Sequence, residues 1–441
     1  MLRQKIINIF IIILLFLYKP VYAKQLNIDS FKLKNGLEVI LIPNNRAPIV
    51  HHSLWYKVGS ADSPVNKTGL AHFVEHLMFK GTFKYPGDSF KLIVNKLGGT
   101  PDAGTTWDYT NYSITIAKEY LELIMELESD RMVNLTFNPN EVAKELQVVL
   151  QERRQRTEAN PNQLLNEATN AAFFWQHPYG KPVIGFKHHI ESYTPEDAMH
   201  FYQNWYAPNN AILVIAGDIT KNTVMSLINK YYGNITSKKI PDRTILRTKE
   251  PPHNNCTNIV ELRNTKFSDN YWGVIYSAPN HNNALILLEF ILGEGSFGRL
   301  RKNLVDNQKI AFTANAIYSG YMLDPYNFSI YITPVNNIDA IKTQHLVSAE
   351  INNLLKDGIT NEELIHAKKQ YSVYFRFNHD SIISIADFVG SHLVYNYSLE
   401  EIKNWLISLQ NISVNQVNEA AKLVFNKQPE VISIAQPIIE N

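Results

Sequence analysis

Three residues in one short apolar stretch have the types and the spacing to do chemistry together. In TGLAHFVEHLMFKGT, residues 68–82, they are His72, Glu75 and His76. Positions i, i+3 and i+4 share one face of a helix. Two imidazoles one turn apart can therefore hold a single Zn²⁺ at about 2.0–2.1 Å each. Glu75, between them on that face, would lie beside an open coordination position. There it could take a proton from water that such an ion acidifies towards a pKa of ~7. Burying a polar group without a partner costs free energy, and burying a charge costs far more. Something must satisfy all three. A solvated surface helix would also do so, and the motif alone is a hypothesis.

A zinc hydrolase needs a third protein ligand, normally a distant carboxylate or histidine. The segment NEVAKELQVVLQERRQR offers Glu145 and Glu152, seven residues apart and hence on one helix face two turns apart. The apolar Leu146, Val148, Val149 and Leu150 stand between them. A carboxylate in that context wants a cation. Arg153, Arg154 and Arg156 could serve, whereas zinc would account for both segments at once.

The elements that must position these groups come from an ordinary globular composition. The chain has 441 residues, 45% hydrophobic and 19% charged, with a formal net charge of +1. Such a length suits two domains, or two halves of a duplicated one. Neither the charge balance nor any basic run suggests a nucleic-acid surface. Cys256 is the single cysteine, which excludes an intramolecular disulfide and leaves stability to a large core.

The N-terminus departs from this pattern. MLRQKIINIFIIILLFLYKPVYAKQ has Arg3 and Lys5, an apolar run from Ile6 to Tyr18, then Val21-Tyr22-Ala23. These are the parts of a secretory signal peptide, with cleavage expected after Ala23. The run is shorter than the ~20 residues that span a bilayer. Retained, it would anchor the chain to a membrane.

Beyond the leader, FKLKNGLEVILIPN reads as two strands around Asn35-Gly36. IVHHSLWYKVGS reads as another, and the motif helix starts near Gly69. SFKLIVNKLGG is a helix capped by paired glycines, and TPDAGTTWDYTNYSITIA returns to strand character. EYLELIMELESDRMVN and residues 140–156, entered by Pro139, have helical spacing. NAILVIAGDI is a buried strand. The second half repeats the plan loosely, with strand NYWGVIYSAP, helix NALILLEFILG, strands AFTANAIYSGYML and YNFSIYITPV, helices from Asp339 to Leu355 and from Glu362 onward, and a final strand EVISIAQP. The expected fold class is α+β in two homologous halves, each a mainly antiparallel sheet packed with helices. The expected division is a leader at 1–23, a first half at 24–235 with the zinc motif, a polar linker at 236–255, and a second half at 256–441 without it.

The sequence resembles the M16 peptidases, the pitrilysin and insulinase family, whose inverted motif is His-x-x-Glu-His. The resemblance runs over nearly the whole mature chain. It includes GLAHFVEHLMFKGT, LGGTPDAGTTWDYTNY, ESDRM, KELQVVLQERRQR, HPYGKPVIG, FYQNWYAPNNAILVIAGDI and LKDGITNEEL. It implies His72, His76 and Glu152 as ligands of one zinc per chain, Glu75 as general base, and Glu145 as an acidic support behind the ligands. The length suggests the small subfamily, which pairs two chains into a chamber around a peptide. The peptide adds as a strand to a sheet edge near the zinc, and PDAGTTWDYTNY, with Asp102, Ala103 and Thr105, looks like that edge. The family usually has Asn at Asp102. Active relatives also carry an Arg and a Tyr in the second half that hold the substrate backbone. Here GRLRKNLVDNQKIAF puts Val305 and Phe312 at those places, and neither side chain can hydrogen-bond a peptide carbonyl. Arg299, Arg301 and Tyr318 are the next candidates for that contact. The resemblance, together with the leader, thus implies an exported, periplasmic zinc endopeptidase that works as a dimer, best as a heterodimer with a related chain supplying the Arg and Tyr. The competing reading is a non-catalytic structural subunit of a membrane-associated complex, which would need no metal.

Overall fold

The computed structural model describes residues 26–246 and 257–438, apart from positions 268, 294, 325 and 337. The expected leader and residues 247–255 of the expected linker lie outside the described residues.

Six strands form the first sheet: β1 (Asp29–Lys32), β2 (Glu38–Pro43), β3 (Ile49–Tyr56), β4 (Thr100–Thr105), β5 (Thr110–Ala117) and β6 (Ala211–Gly217). Their order is β1-β2-β6-β3-β5-β4. The second sheet has β7 (Asn258–Asn264), β8 (Tyr271–Ala278), β9 (Ala311–Tyr318), β10 (Tyr326–Pro334) and β11 (Val431–Pro437), in the order β7-β11-β8-β10-β9. The two orders correspond strand for strand from β2 and β7 onward. The sheets are mixed rather than uniformly antiparallel, because β2 pairs with β6 and β7 with β11 in parallel. In each half the closing strand returns after a long helical excursion, the kind of connection a parallel pair requires.

Seven helices matter for the site. They are α1 (Leu70–Leu77), α2 (Ser89–Lys96), α3 (Leu121–Val133), α4 (Pro139–Arg153), α5 (Pro161–Phe173), α6 (Pro195–Trp205) and α7 (Lys221–Tyr232). In the second half come α8 (Asn283–Leu292), α9 (Ala340–Asp357), α10 (Asn361–Asn378), α11 (Ile382–Val394) and α12 (Val414–Phe425), besides shorter turns of helix.

The inner strands are buried on both faces, and alternate residues enter different cores. Val39, Leu41, Leu213 and Ile215 pack with α1, α3 and α6. Ile40, Ile42, Ile212, Val214 and Trp55 pack into the core of the second half. That period of two is what a strand imposes. The helix covering the far face of the first sheet is α11, from the other half, lying on β6 and β3. It comes so close that a Cβ on Gly390 would overlap the Trp55 ring. The exchange is mutual, since α5 of the first half lies on β7 and β11. Each half therefore completes the other's core. Polar contacts lock the seam: the Asp108 carboxylate accepts from Tyr179 Oη at 2.6 and 2.7 Å and from the Leu323 amide at 3.2 Å.

Candidate metal centre

Helix α1 begins at Gly69, which has φ +88° and lies against the Ile184–Gly185 backbone, where a side chain would collide. Only glycine suits that backbone and that approach. From there Leu70, Phe73, Val74 and Leu77 turn into the core. His72 and His76 emerge on the opposite face, with side chains 12% and 20% exposed. Helix α4 runs beside it, started by Asn138, whose side chain accepts from the Asn140 amide, and by Pro139 at its first turn.

The two helices bring the expected residues together. Glu152 Oε2 stands 3.3 Å from His76 Nε2 and 3.8 Å from His72 Nε2. Two ligands on one tetrahedral zinc at 2.0–2.1 Å lie about 3.3 Å apart, so a small closure of the His72 side would complete the set. Glu75 belongs to the same cluster, and the ligand-capable atoms of His72, Glu75 and His76 fall within 4.8 Å of one another. Glu75 is, however, already engaged: its Oε2 accepts from Thr105 Oγ1 at 2.6 Å. The carboxylate facing both imidazoles is that of Glu152. Two imidazole nitrogens and one carboxylate oxygen suit Zn²⁺.

Around these groups the charges are already sorted. Glu145 Oε1 is 2.8 Å from His76 Nδ1, and its Oε2 takes Lys80 Nζ at 2.7 Å. Glu152 Oε1 takes Arg156 at 2.7 Å. Arg153 turns away to Glu167 and the Gly185 carbonyl. Burial, reinforced by its charged neighbour His76, pushes His72 down to about 4. Burial acts against the charge on His76 as well, but its bonds to Glu145 and Glu152 prevail and raise it to about 9. Burial also raises the Glu75 carboxyl, with the Thr105 hydroxyl pulling the other way. Glu152 facing both imidazoles, with Glu75 in the same cluster and Glu145 behind His76, is a donor set of the kind that holds a cation.

Strand β4 is outermost in the first sheet. Asp102 is exposed on it, and Ala103 and Thr105 are half-buried. In the second half, Val305 is half-buried against the core and Phe312 is 54% exposed on the outermost strand β9. Arg299 is held by Glu363 at 2.6 and 2.8 Å and by the Gly358 carbonyl. Tyr318 is buried and donates to the Pro279 carbonyl. Both are thus committed elsewhere, while Arg301 is exposed. Sequence reading offered Arg156 as a partner for the site carboxylates but missed the bonds of Lys80 and Thr105 to them. The i, i+4 spacing of Glu152 and Arg156 was a signal for that partner.

Two family models match the chain: "Insulinase (Peptidase family M16)" over residues 38–187 and "Peptidase M16 inactive domain" over residues 192–371. The chain belongs to the M16 peptidase family. It is 32% identical over 379 residues to the zinc protease PqqE of Helicobacter pylori, spanning 83% of this chain and 84% of that one. It is 24% identical over 406 residues to the uncharacterized zinc protease YmxG of Bacillus subtilis, spanning 91% and 96%. A crystal structure of a protease from Helicobacter pylori superposes with a TM-score of 0.85 at 28% identity, over 93% of this chain and all of that one. The first half of the periplasmic protease PqqL from Escherichia coli shares the M16 fold, with a TM-score of 0.79 at 21% identity over 93% and 92%. Among the described residues no helix is long and apolar enough to cross a membrane.

Proposed function

We propose that this M16 chain is an exported zinc endopeptidase that hydrolyses peptides or unfolded segments. His72, His76 and Glu152 hold one zinc, and Glu75 is the general base. The observation that carries the reading is the approach of Glu152 Oε2 to both imidazole Nε2 atoms, with Glu75 beside the edge strand β4. A peptide adding along Asp102 and Ala103 would lay its carbonyls over the outer face of α1. Bound zinc supplies Lewis acidity and makes water acidic near neutral pH. Glu75 takes the water's proton on the oxygen that Thr105 leaves free and returns it to the leaving amine. Glu145 holds His76 Nδ1, which keeps Nε2 turned inward.

The reading extends to the whole chain. The leader is removed after Ala23, and the mature halves at 24–235 and 256–441, joined by 236–255, act in the periplasm. Because Val305 and Phe312 replace a substrate-holding Arg and Tyr, the chain works best with a related chain that supplies the pair. A homodimer would close the chamber without it.

Elemental analysis and hydrolysis of an unstructured peptide test the core of this. The purified chain is expected to carry one zinc, Glu152→Gln and His76→Ala to lose it, and Glu75→Gln to keep it. Full zinc in both Glu152→Gln and His76→Ala would overturn the ligand assignment. A chain that takes up no zinc would favour the non-catalytic subunit. Hydrolysis should rise when a related chain co-purifies, or when Val305→Arg and Phe312→Tyr are introduced together. Full activity of the unaltered chain alone would remove the partner from the proposal.

A further inference from the structure

We infer that Thr105 is a positioning residue for Glu75, so that the strand proposed to receive the substrate also holds the base. This rests on the function proposed above. Thr105 ends β4 and pairs with Thr110 across the hairpin. Its hydroxyl lies 2.6 Å from Glu75 Oε2 and 3.4 Å from Thr110 Oγ1. Thr110 spends its own proton on the Val58 carbonyl at 3.0 Å. It cannot also donate to Thr105, so the Thr105 proton is left to choose between two acceptors. The carboxylate is nearer and charged, and a hydrogen bond to a charged acceptor is the stronger one. Thr105 is therefore the donor, and Glu75 Oε2 the acceptor.

The hydroxyl is held in place from behind. The Thr106 side chain accepts from the Asp108 and Tyr109 amides, and the Thr106 amide donates to the Tyr109 carbonyl at 2.8 Å. Trp107 Nε1 reaches the Lys181 carbonyl at 2.9 Å. The turn after β4 is thus tied down, while the free edge at Asp102 and Ala103 lies three and two residues away. Glu75 is nearly buried on a helix that packs on β4. Without the Thr105 bond its carboxylate could rotate about its last torsion, a broad and soft one. The hydroxyl fixes which oxygen faces away from the strand and is free for the proton.

The test compares Thr105→Val, which keeps the branched shape without the donor, with Thr105→Ser, which keeps the donor. The expected result for Thr105→Val is a kcat lower by about 10- to 100-fold, as misplacement of a catalytic group costs, with KM little changed. Zinc affinity, read by chelator competition, should stay at the wild-type value. Thr105→Ser should restore most of the rate. In a Glu75→Gln background, adding Thr105→Val should leave the affinity for a fluorescent unstructured peptide unchanged. An unaltered kcat in Thr105→Val would overturn the inference. So would weaker peptide binding in the double variant, which would make Thr105 a substrate contact. If the wild-type chain neither binds zinc nor cleaves, the functional reading fails instead, and that outcome is told apart by the wild-type controls.

Discussion

In the first half, the helix after β3 carries His72, Glu75 and His76, and β8 is the matching strand of the second half. In the second half α8 occupies the same place. Counting from the N-caps, Gly69 and Asn282, its matching residues are Leu285, Leu288 and Glu289. Its companion α10 sends Tyr371 and Tyr374 against Phe290, with ring centroids 5.4 and 5.7 Å away. In the first half α4 sends Glu145 and Glu152 instead. One framework thus supports an ion cradle on one side and an aromatic and leucine core on the other. What differs is a handful of side chains on two helices. The polar version buries charge at a cost in folding free energy, which functional sites commonly carry.

The largest contrast should come from matched substitutions. Glu75→Gln removes the proposed proton acceptor and is expected to lower hydrolysis by about 10²–10⁴-fold with zinc retained. Glu75→Leu would do the same to activity and leave the chain as stable or more so, because a buried carboxylate is replaced by an apolar group. Its counterpart Leu288 is fully buried. Leu288→Ala should cost about 2–5 kcal/mol of stability while the folded fraction keeps its zinc. Denaturant unfolding alongside metal analysis gives both numbers. Loss of zinc in Leu288→Ala protein that is still folded would break the division of labour between the halves.

Much of this was legible in the sequence because it is local. The His72–His76 spacing, the Asn35-Gly36 hairpin and the strands VILI, HHSLWY and AILVIAG carry their own periodicity. Gly69 at the start of the motif helix was legible for the same reason. Strand β7 was not foreseen: NIVELRN alternates exposed and half-buried residues and pairs in parallel with β11, more than 160 residues later. The exchange of α5 and α11 between the halves was equally invisible. A helix's apolar face says that it needs a sheet, and nothing about which one. Arg131 is a third case. Its guanidinium is buried against Glu128, at 2.8 and 2.5 Å, among the rings of Phe79, Phe90 and Tyr112. ESDRM identifies the residue but not the box that closes around it.

The exchange of helices predicts that the halves do not melt separately. Gly390→Ala places a methyl group against Trp55 in the first half. The expected cost is about 1–3 kcal/mol, typical of overpacking. The loss should appear in a single transition reported equally by tryptophan fluorescence and by circular dichroism. Two transitions, with the first half unaffected, would show that α11 on β6 and β3 is a surface contact rather than a shared core.

The smallest expected effect concerns a feature the halves have in common. Both halves bury histidines held neutral, among them His52 on β3 and His392 on α11. His52 Nε2 is 3.0 Å from Tyr232 Oη, and His392 Nδ1 meets the Phe388 carbonyl at 2.7 Å. Burial pushes both down to about 3, with His51 and Arg131 adding repulsion for His52, and His379 and His281 for His392. The folded value lies below the unfolded value of about 6.5, so the unfolded chain binds more protons between those limits. Their stability contribution is therefore complete above pH 6.5 and declines as pH falls towards 3. At pH 5.5 each histidine should cost about 1 kcal/mol relative to pH 7.5. His392→Phe removes the titrating group from the second half alone. It should flatten the pH dependence of unfolding by that amount and leave the His52 share in place. An unchanged slope in His392→Phe would mean that His392 is already protonated in the folded chain, and that His52 and His392 are not equivalent.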